Sequence, residues 1–326
     1  MVAAIVAPFC CALPIQLNSL PSGYEMSRLK KSFLTIGAIA AALLALTGAA
    51  LCASKVSAGT NSVSWEPKIL IGGSPVLFRL RAPAGTQQVR GTWFGHEQSF
   101  FHGTGNFWYG LAGIPAETFS GSYELQLTQT LANGRTVELR KKIKITRAVY
   151  PRIPIKVAKQ YTEPSPEQLT AVAAEKEIKQ KAFSTVGEQR LWDGPFQPPV
   201  AAPISDIFGT ERVFNQQVQS RHQGLDYAVP TGTPVHAVNR GTVILARPMF
   251  FEGNCVVIDH GQGLLSLYLH LSQIEVKEGE EIRSGQLLGL SGGTGRASGP
   301  HLHLAVRWQG VYLNPAILLK LNIPTD

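Results

Sequence analysis

Four histidines and one aspartate in the last third of the chain could do chemistry together. They are His222 and Asp226 in "SRHQGLDYAV", His270 in "LLSLYLHLS", and His301 and His303 in "SGPHLHLAVRW". Side chains of a strand alternate between faces, so residues two apart point the same way. His301 and His303 then share a face, with Leu302 and Leu304 on the other. By the same rule Asp226 and Ala228 oppose Leu225 and Tyr227. In the third stretch Ser266, Tyr268 and His270 oppose Leu265, Leu267 and Leu269. A four-residue spacing such as His222 to Asp226 would also suit a helix, but Gly224 and the pattern after it read as a turn entering a strand. Imidazole and carboxylate are good zinc ligands, and a catalytic zinc takes three protein ligands and keeps one position for solvent. Five candidates exceed three, which leaves two for acid–base work. Neither a His-x-His nor a His-x-x-x-Asp pair is specific alone. Their joint presence, with the Gly-rich "SGGTGRASGP" directly before the second pair, carries the reading. His236 and His260 in the same segment lack partners and read as structural.

The elements that must position these groups are short and bounded by glycine. "GTPVHAV", "GTVILARP", "GNCVVIDHG", "GLLSLYLHLS", "GQLLGLSG" and "HLHLAVRW" follow one another from Ile204, which predicts a compact antiparallel β-domain over 204–322. Upstream, residues 61–149 alternate short strands with turns. "PVLFRLRAP" places Val76, Phe78 and Leu80 on one face, and "GSYELQLTQT" places Tyr123, Leu125 and Leu127 on one face. Asn133-Gly134 marks a hairpin. This pattern predicts an immunoglobulin-like β-sandwich. His96 and His102 have no acidic or cysteine partner at metal spacing, and Trp93, Trp108 and Tyr109 suit core packing better than sugar stacking. Residues 150–203 form a Pro-rich connector with one helix. It opens on a capping box from Ser165 to Gln168, with Pro166 first in the helix and Glu175–Lys179 and Glu177–Lys181 as i,i+4 pairs, the pattern of a surface spacer, which is favoured over a segment that covers the neighbouring site.

With 32 Gly and 21 Pro in 326 residues and few long helical patterns, the expected fold class is all-β with two domains. Residues 1–58 read as an export segment. From Met26, which the pattern favours as the start, Arg28, Lys30 and Lys31 precede the apolar run Phe33 to Cys52 and then small residues. Uncleaved, the run would serve as an anchor and the chain's only membrane contact. Either way the remainder lies outside the cytoplasm, in periplasm, cell envelope or medium. Cys255 alone remains beyond that segment, within an apolar run, and reads as a buried inert thiol. The formal charge of +8 is inflated by the export segment. What is left suits an anionic envelope, and the absence of a dense basic cluster argues against nucleic acid.

The motifs "HQGLD" (His222–Asp226), "LYLHLS" (Leu267–Ser272) and "GGTGRASGPHLHLAV" (Gly292–Val306) resemble the lysostaphin-type, or LytM-type, zinc metallopeptidases of bacterial peptidoglycan. Flanking pieces from "PISDIFG" to "NPAILL" agree, so the resemblance covers Pro203 to Leu319. It implies a LytM-like barrel-sandwich hybrid with Zn²⁺ held by His222, Asp226 and His303, and catalytic roles for His270 and His301. Leu304, where phenylalanine is common, and Leu269, where alanine is common, are conservative departures. The function implied is a zinc metalloendopeptidase acting on stem or cross-bridge peptides of peptidoglycan. The alternative is a non-hydrolytic relative that binds the wall or activates a separate murein amidase. A third reading, adhesion through the sandwich, predicts that the sandwich alone binds wall material.

Overall fold

The computed structural model describes residues 61–155, 157–184, 187–214 and 218–325; the export segment expected over 1–58 lies outside the described residues. The chain is nearly all β, as expected. Its first part builds two sheets. One contains the strands Ser62–Glu66, Pro75–Arg81 and Phe107–Gly113. The other contains Thr86–Trp93, Gly121–Leu131 and Thr136–Thr146, the last two joined by the Asn133-Gly134 turn. Alternation sets what each face does. Val76, Phe78 and Leu80 are wholly buried while Arg79 and Arg81 stay exposed. Phe78 meets Trp93 of the other sheet edge-on at 5.2 Å, and the Trp93 indole donates to the Gly113 carbonyl at 2.9 Å. Trp93 and Trp108 are buried, so neither offers a platform to a sugar, and His96 and His102 pack on Trp308 and Trp108.

The later part is organised on one large sheet. Its order is Ile204–Asp206, Gly224–Tyr227, Leu302–Trp308, Leu264–Leu271, Gly253–Asp259, Gly241–Met249 and Glu281–Ile282. Leu225, Tyr227, Tyr268, Leu302 and Leu304 face a core that continues without a break into the N-terminal sheets, from Leu70 to Ile323. The junction uses the absence of side chains as well as their presence. Gly113 lies against Trp308 and Leu313, and the Asn314 amide donates to the Gly73 carbonyl.

The connector helix α1 (Pro166–Ser184) opens on the expected capping box: Gln168 N donates to Ser165 Oγ, and Ser165 N donates to the Gln168 carboxamide. It is not a free spacer. Glu175 accepts from the Phe250 amide and Lys179 pairs with Glu252, so the expected Glu175–Lys179 pair gives way to contacts with the large sheet's 250–252 turn. Ile178 and Phe183 pack on the apolar cluster of Leu245, Cys255, Val257, Leu267 and Ala305. A solvent-facing helix gains little from its own ion pairs, whereas this apolar surface gains from cover. Among the described residues no helix is long and apolar enough to cross a membrane.

His260 has partners after all. Its ring is fully buried, with Nδ1 donating to the Arg240 carbonyl at 2.7 Å and Nε2 accepting from Ser266 Oγ at 2.8 Å. Burial pushes it down to about 4. The unfolded ring titrates near ~6.5, so its contribution to stability is complete above that value and is lost as pH falls from there towards the folded value. In urea titrations at pH 7 and pH 4.5, His260→Gln is expected to lose less stability on acidification than the parent. An equal or larger acid loss would contradict this.

Candidate active site

Register does most of the assembly. Asp226 lies directly opposite His303 on one side, and His303 directly opposite Leu269 on the other, so the three stand in one row across neighbouring strands. Side chains directly opposite in antiparallel strands share a face, and the leucines flanking His303 occupy the core face, so Asp226 and His303 emerge together on the cleft side. His222 precedes the Asp226 strand. Its backbone is pinned on both sides, N–H to the Thr210 carbonyl and C=O to the Gly209 amide, each at 2.8 Å. His301 pairs with Gly292 as an isolated bridge, and Gly292 has no room for a Cβ, which would sit 2.6 Å from the Ser272 amide. That close approach brings His301 beside His270, ring centroids 4.8 Å apart.

His270 corrects the expected alternation. Ser266 and Tyr268 do not share its face. They point into the core, where the hydroxyls of Ser266 and Tyr268 hydrogen-bond to one another at 3.1 Å and Tyr268 accepts from the Val238 amide. Leu267 and Leu269 line the cleft instead. Pairing with the Gly253–Asp259 strand slips between Asn254 and Val256, and His270 sits at φ +64°. A bulge inserts an extra residue and re-aims a side chain, here turning His270 from the core face to the cleft. The left-handed backbone is costly for a histidine and is held by its amide donating to the Glu252 carbonyl at 2.9 Å.

All five predicted residues therefore come together. His222 Nε2 lies 3.0 Å from Asp226 Oδ1 and 3.0 Å from His303 Nδ1; His303 Nδ1 lies 2.7 Å from the same oxygen. His301 Nε2 is 3.9 Å from that oxygen. His222 donates from Nδ1 to the Ile207 carbonyl at 2.8 Å, which leaves a lone pair on Nε2 in the neutral ring. That lone pair faces a carboxylate oxygen and another imidazole nitrogen, an arrangement that needs a cation at its centre. Ligands at ~2.0–2.1 Å in a tetrahedron stand roughly 3.3 Å apart, close to these separations. His222, Asp226 and His303 form the single such group of three among the described residues. The residues present thus fit a divalent metal.

Electrostatics agree. Burial alone would raise the Asp226 carboxyl, but the imidazoles of His222 and His303 beside it hold it well below the usual carboxylate range. Burial, reinforced by His303 and His301, pushes His270 down to about 3, and burial pushes His303 down to about 4. Both rings are neutral at pH 7. His270 donates from Nδ1 to the Thr294 carbonyl and His301 from Nδ1 to the Gly299 carbonyl, each at 2.8 Å, so both leave Nε2 as a proton acceptor. Cys255 is kept a thiol, its burial raising it to about 12.

The cleft beside these groups is a cavity of about 680 Å³ whose lining includes His270, His303, Leu267, Arg212 and, from α1, Lys179 and Phe183. Two contributors escaped the sequence reading. Arg212 carried no motif signal, and Asp206 stood within "PISDIFG" with no role. Gly224 also matters. A Cβ there would lie 2.4 Å from the Leu304 carbonyl oxygen and 2.5 Å from His303 Nε2. Gly224→Ala should weaken metal binding by roughly 10- to 100-fold, the range for displaced ligand supports, as read by titration against a chromophoric chelator. Unchanged affinity would show that the ring has room to move.

A β-domain that presents a buried His–Asp–His donor set, with two further histidines facing it, can hold a divalent metal beside two groups able to move a proton. Residues 220–315 match Peptidase family M23. This meets the expectation drawn from the histidine motifs. The chain is 47% identical over 147 residues to the peptidoglycan DD-endopeptidase ShyA of Vibrio cholerae, covering 44% of this chain and 31% of that protein. It is 40% identical over 129 residues to the DD-carboxypeptidase/endopeptidase Mpg of Neisseria meningitidis, covering 40% and 29%. The match thus spans less than a third of the length of either relative. A solved M23 protein from Pseudomonas aeruginosa aligns over 76% of this chain and 94% of its own, at 29% identity and a TM-score of 0.58. The likeness of fold therefore reaches well beyond the M23 segment.

Proposed function

We propose that this protein is an exported zinc metalloendopeptidase that hydrolyses peptide cross-links of peptidoglycan in the cell envelope. The observation that carries the reading is the convergence of three ligand atoms within 4.8 Å, flanked by two histidines whose Nε2 atoms are free to accept a proton. Zinc suits two imidazoles and one carboxylate, and there it supplies Lewis acidity, polarising a peptide carbonyl and acidifying water towards a pKa of about 7.

The chain's own residues do the rest. Imidazole ligates as the neutral ring and aspartate as the carboxylate, so the set His222, Asp226 and His303 would bring a single negative charge to a dication and leave it net positive. His270 Nε2 and His301 Nε2 stand on the open side, where they take a proton from water and return one to the leaving amine. Their Nδ1 bonds to backbone carbonyls hold the rings in the required tautomer. Leu267, Leu269 and Phe183 give the cleft an apolar stretch of wall beside the basic side chains of Lys179, Arg212 and Arg296. The names of ShyA and Mpg make the D,D cross-link the first bond to examine.

The test is direct. Purified protein loaded with Zn²⁺ and incubated with peptidoglycan should release new amino termini. A chelator should stop the release and added Zn²⁺ restore it, and product masses identify the bond. Stoichiometric zinc with no release would leave a wall-binding or activating role.

A further inference from the structure

A second charge network lies behind Asp226. Asp206, on the edge strand Ile204–Asp206, stands directly opposite Asp226 in the register of the two strands. Like charges facing one another across antiparallel strands repel. Arg212 resolves this from a different sheet, on the strand Glu211–Phe214. Its guanidinium gives Nε and a terminal nitrogen to Asp206 Oδ2, at 2.8 and 2.5 Å, and the same terminal nitrogen to Asp226 Oδ2. Asp206 Oδ2 is also 3.3 Å from His222 Nδ1. Arg212 is largely buried, 16% exposed at the side chain, and so are the two carboxylates.

The two oxygens of Asp226 are therefore used differently. Oδ2 is committed to Arg212, and Oδ1 faces His222 and His303. A carboxylate without that restraint can turn and offer both oxygens to one cation. From this we propose that Arg212 is a positioning residue: it clamps Asp226 so that one oxygen alone faces the metal position, and with Asp206 it ties the orientations of Asp226 and His222 together. A planar fork with several donors can bridge two carboxylates at fixed angles, which a lysine ammonium cannot. The consequence for the reaction is an open position for solvent and substrate that a second carboxylate oxygen would otherwise fill. The inference rests on the metal reading above.

Cobalt(II) gives a readout other than turnover, because four-coordinate Co²⁺ absorbs visible light several-fold more strongly than higher-coordinate Co²⁺. The full chain, freed of metal and loaded with Co²⁺, should show an intense band. Arg212→Gln should lose several-fold in band intensity. Its kcat should fall roughly 10- to 100-fold, as for other displaced ligand supports, with KM within a factor of two. Arg212→Lys, which keeps the buried charge if the glutamine variant does not fold, should give an intermediate band. A parental band in either folded variant overturns the inference. So does a raised KM with band and kcat retained, which would place Arg212 on the substrate. If the parent protein takes up no Co²⁺, the metal reading falls and this inference with it.

Discussion

His303→Ala is expected to lose bound metal and peptidase turnover together. His303 Nδ1 is one of the three atoms placed to ligate a metal, 2.7 Å from Asp226 Oδ1 and 3.0 Å from His222 Nε2. Alanine leaves two donors and a gap behind them. Loss of a direct ligand should exceed the roughly 10- to 100-fold seen for supporting residues, so zinc at equimolar concentration should be almost fully released. The ring is 7% exposed, so truncation also opens a cavity. Circular dichroism and thermal melts in chelator separate loss of fold from loss of metal. A folded variant with full zinc and full rate would sink the ligand assignment.

His301→Ala should do the opposite with the metal. The variant keeps zinc, because His301 is outside the group of three, but turnover should fall by about 10²- to 10⁴-fold, the usual share of a general acid–base residue. Its Nε2 is the group 3.9 Å from Asp226 Oδ1, aimed by the Nδ1 bond to Gly299. The effect should appear in kcat, with KM little changed, since the interaction strengthens only as the proton moves. Equilibrium dialysis for zinc alongside steady-state kinetics reads both quantities. Zinc lost with the ring, or turnover within threefold of the parent, would refute the role.

Part of this site was legible because strand alternation is local. Leu302 and Leu304 pack inward while His303 faces out, and Leu225 and Tyr227 do the same around Asp226, as the period of two requires. His270 broke the rule because its direction depends on a bulge, and a bulge is a property of a pair of strands rather than of one. The helix α1 was read as a spacer because its own residues show only polar pairing. Its place on the cleft follows from Glu252, Phe250 and an apolar floor, all more than sixty residues away in sequence.

The linear chain, taken alone, determined which residue types were available, their alternation within each strand, and the motifs that join His222, Asp226, His270, His301 and His303 to one chemistry. Periodicity and residue type are short-range properties, so they survive in one dimension. Only the tertiary structure decided that Asp226, His303 and Leu269 share a row, that His270 turns towards them, and that Arg212 takes one oxygen of Asp226 while leaving the other to the site. Those facts depend on inter-strand register and on contacts between distant segments, where a shift of one residue would reverse every face.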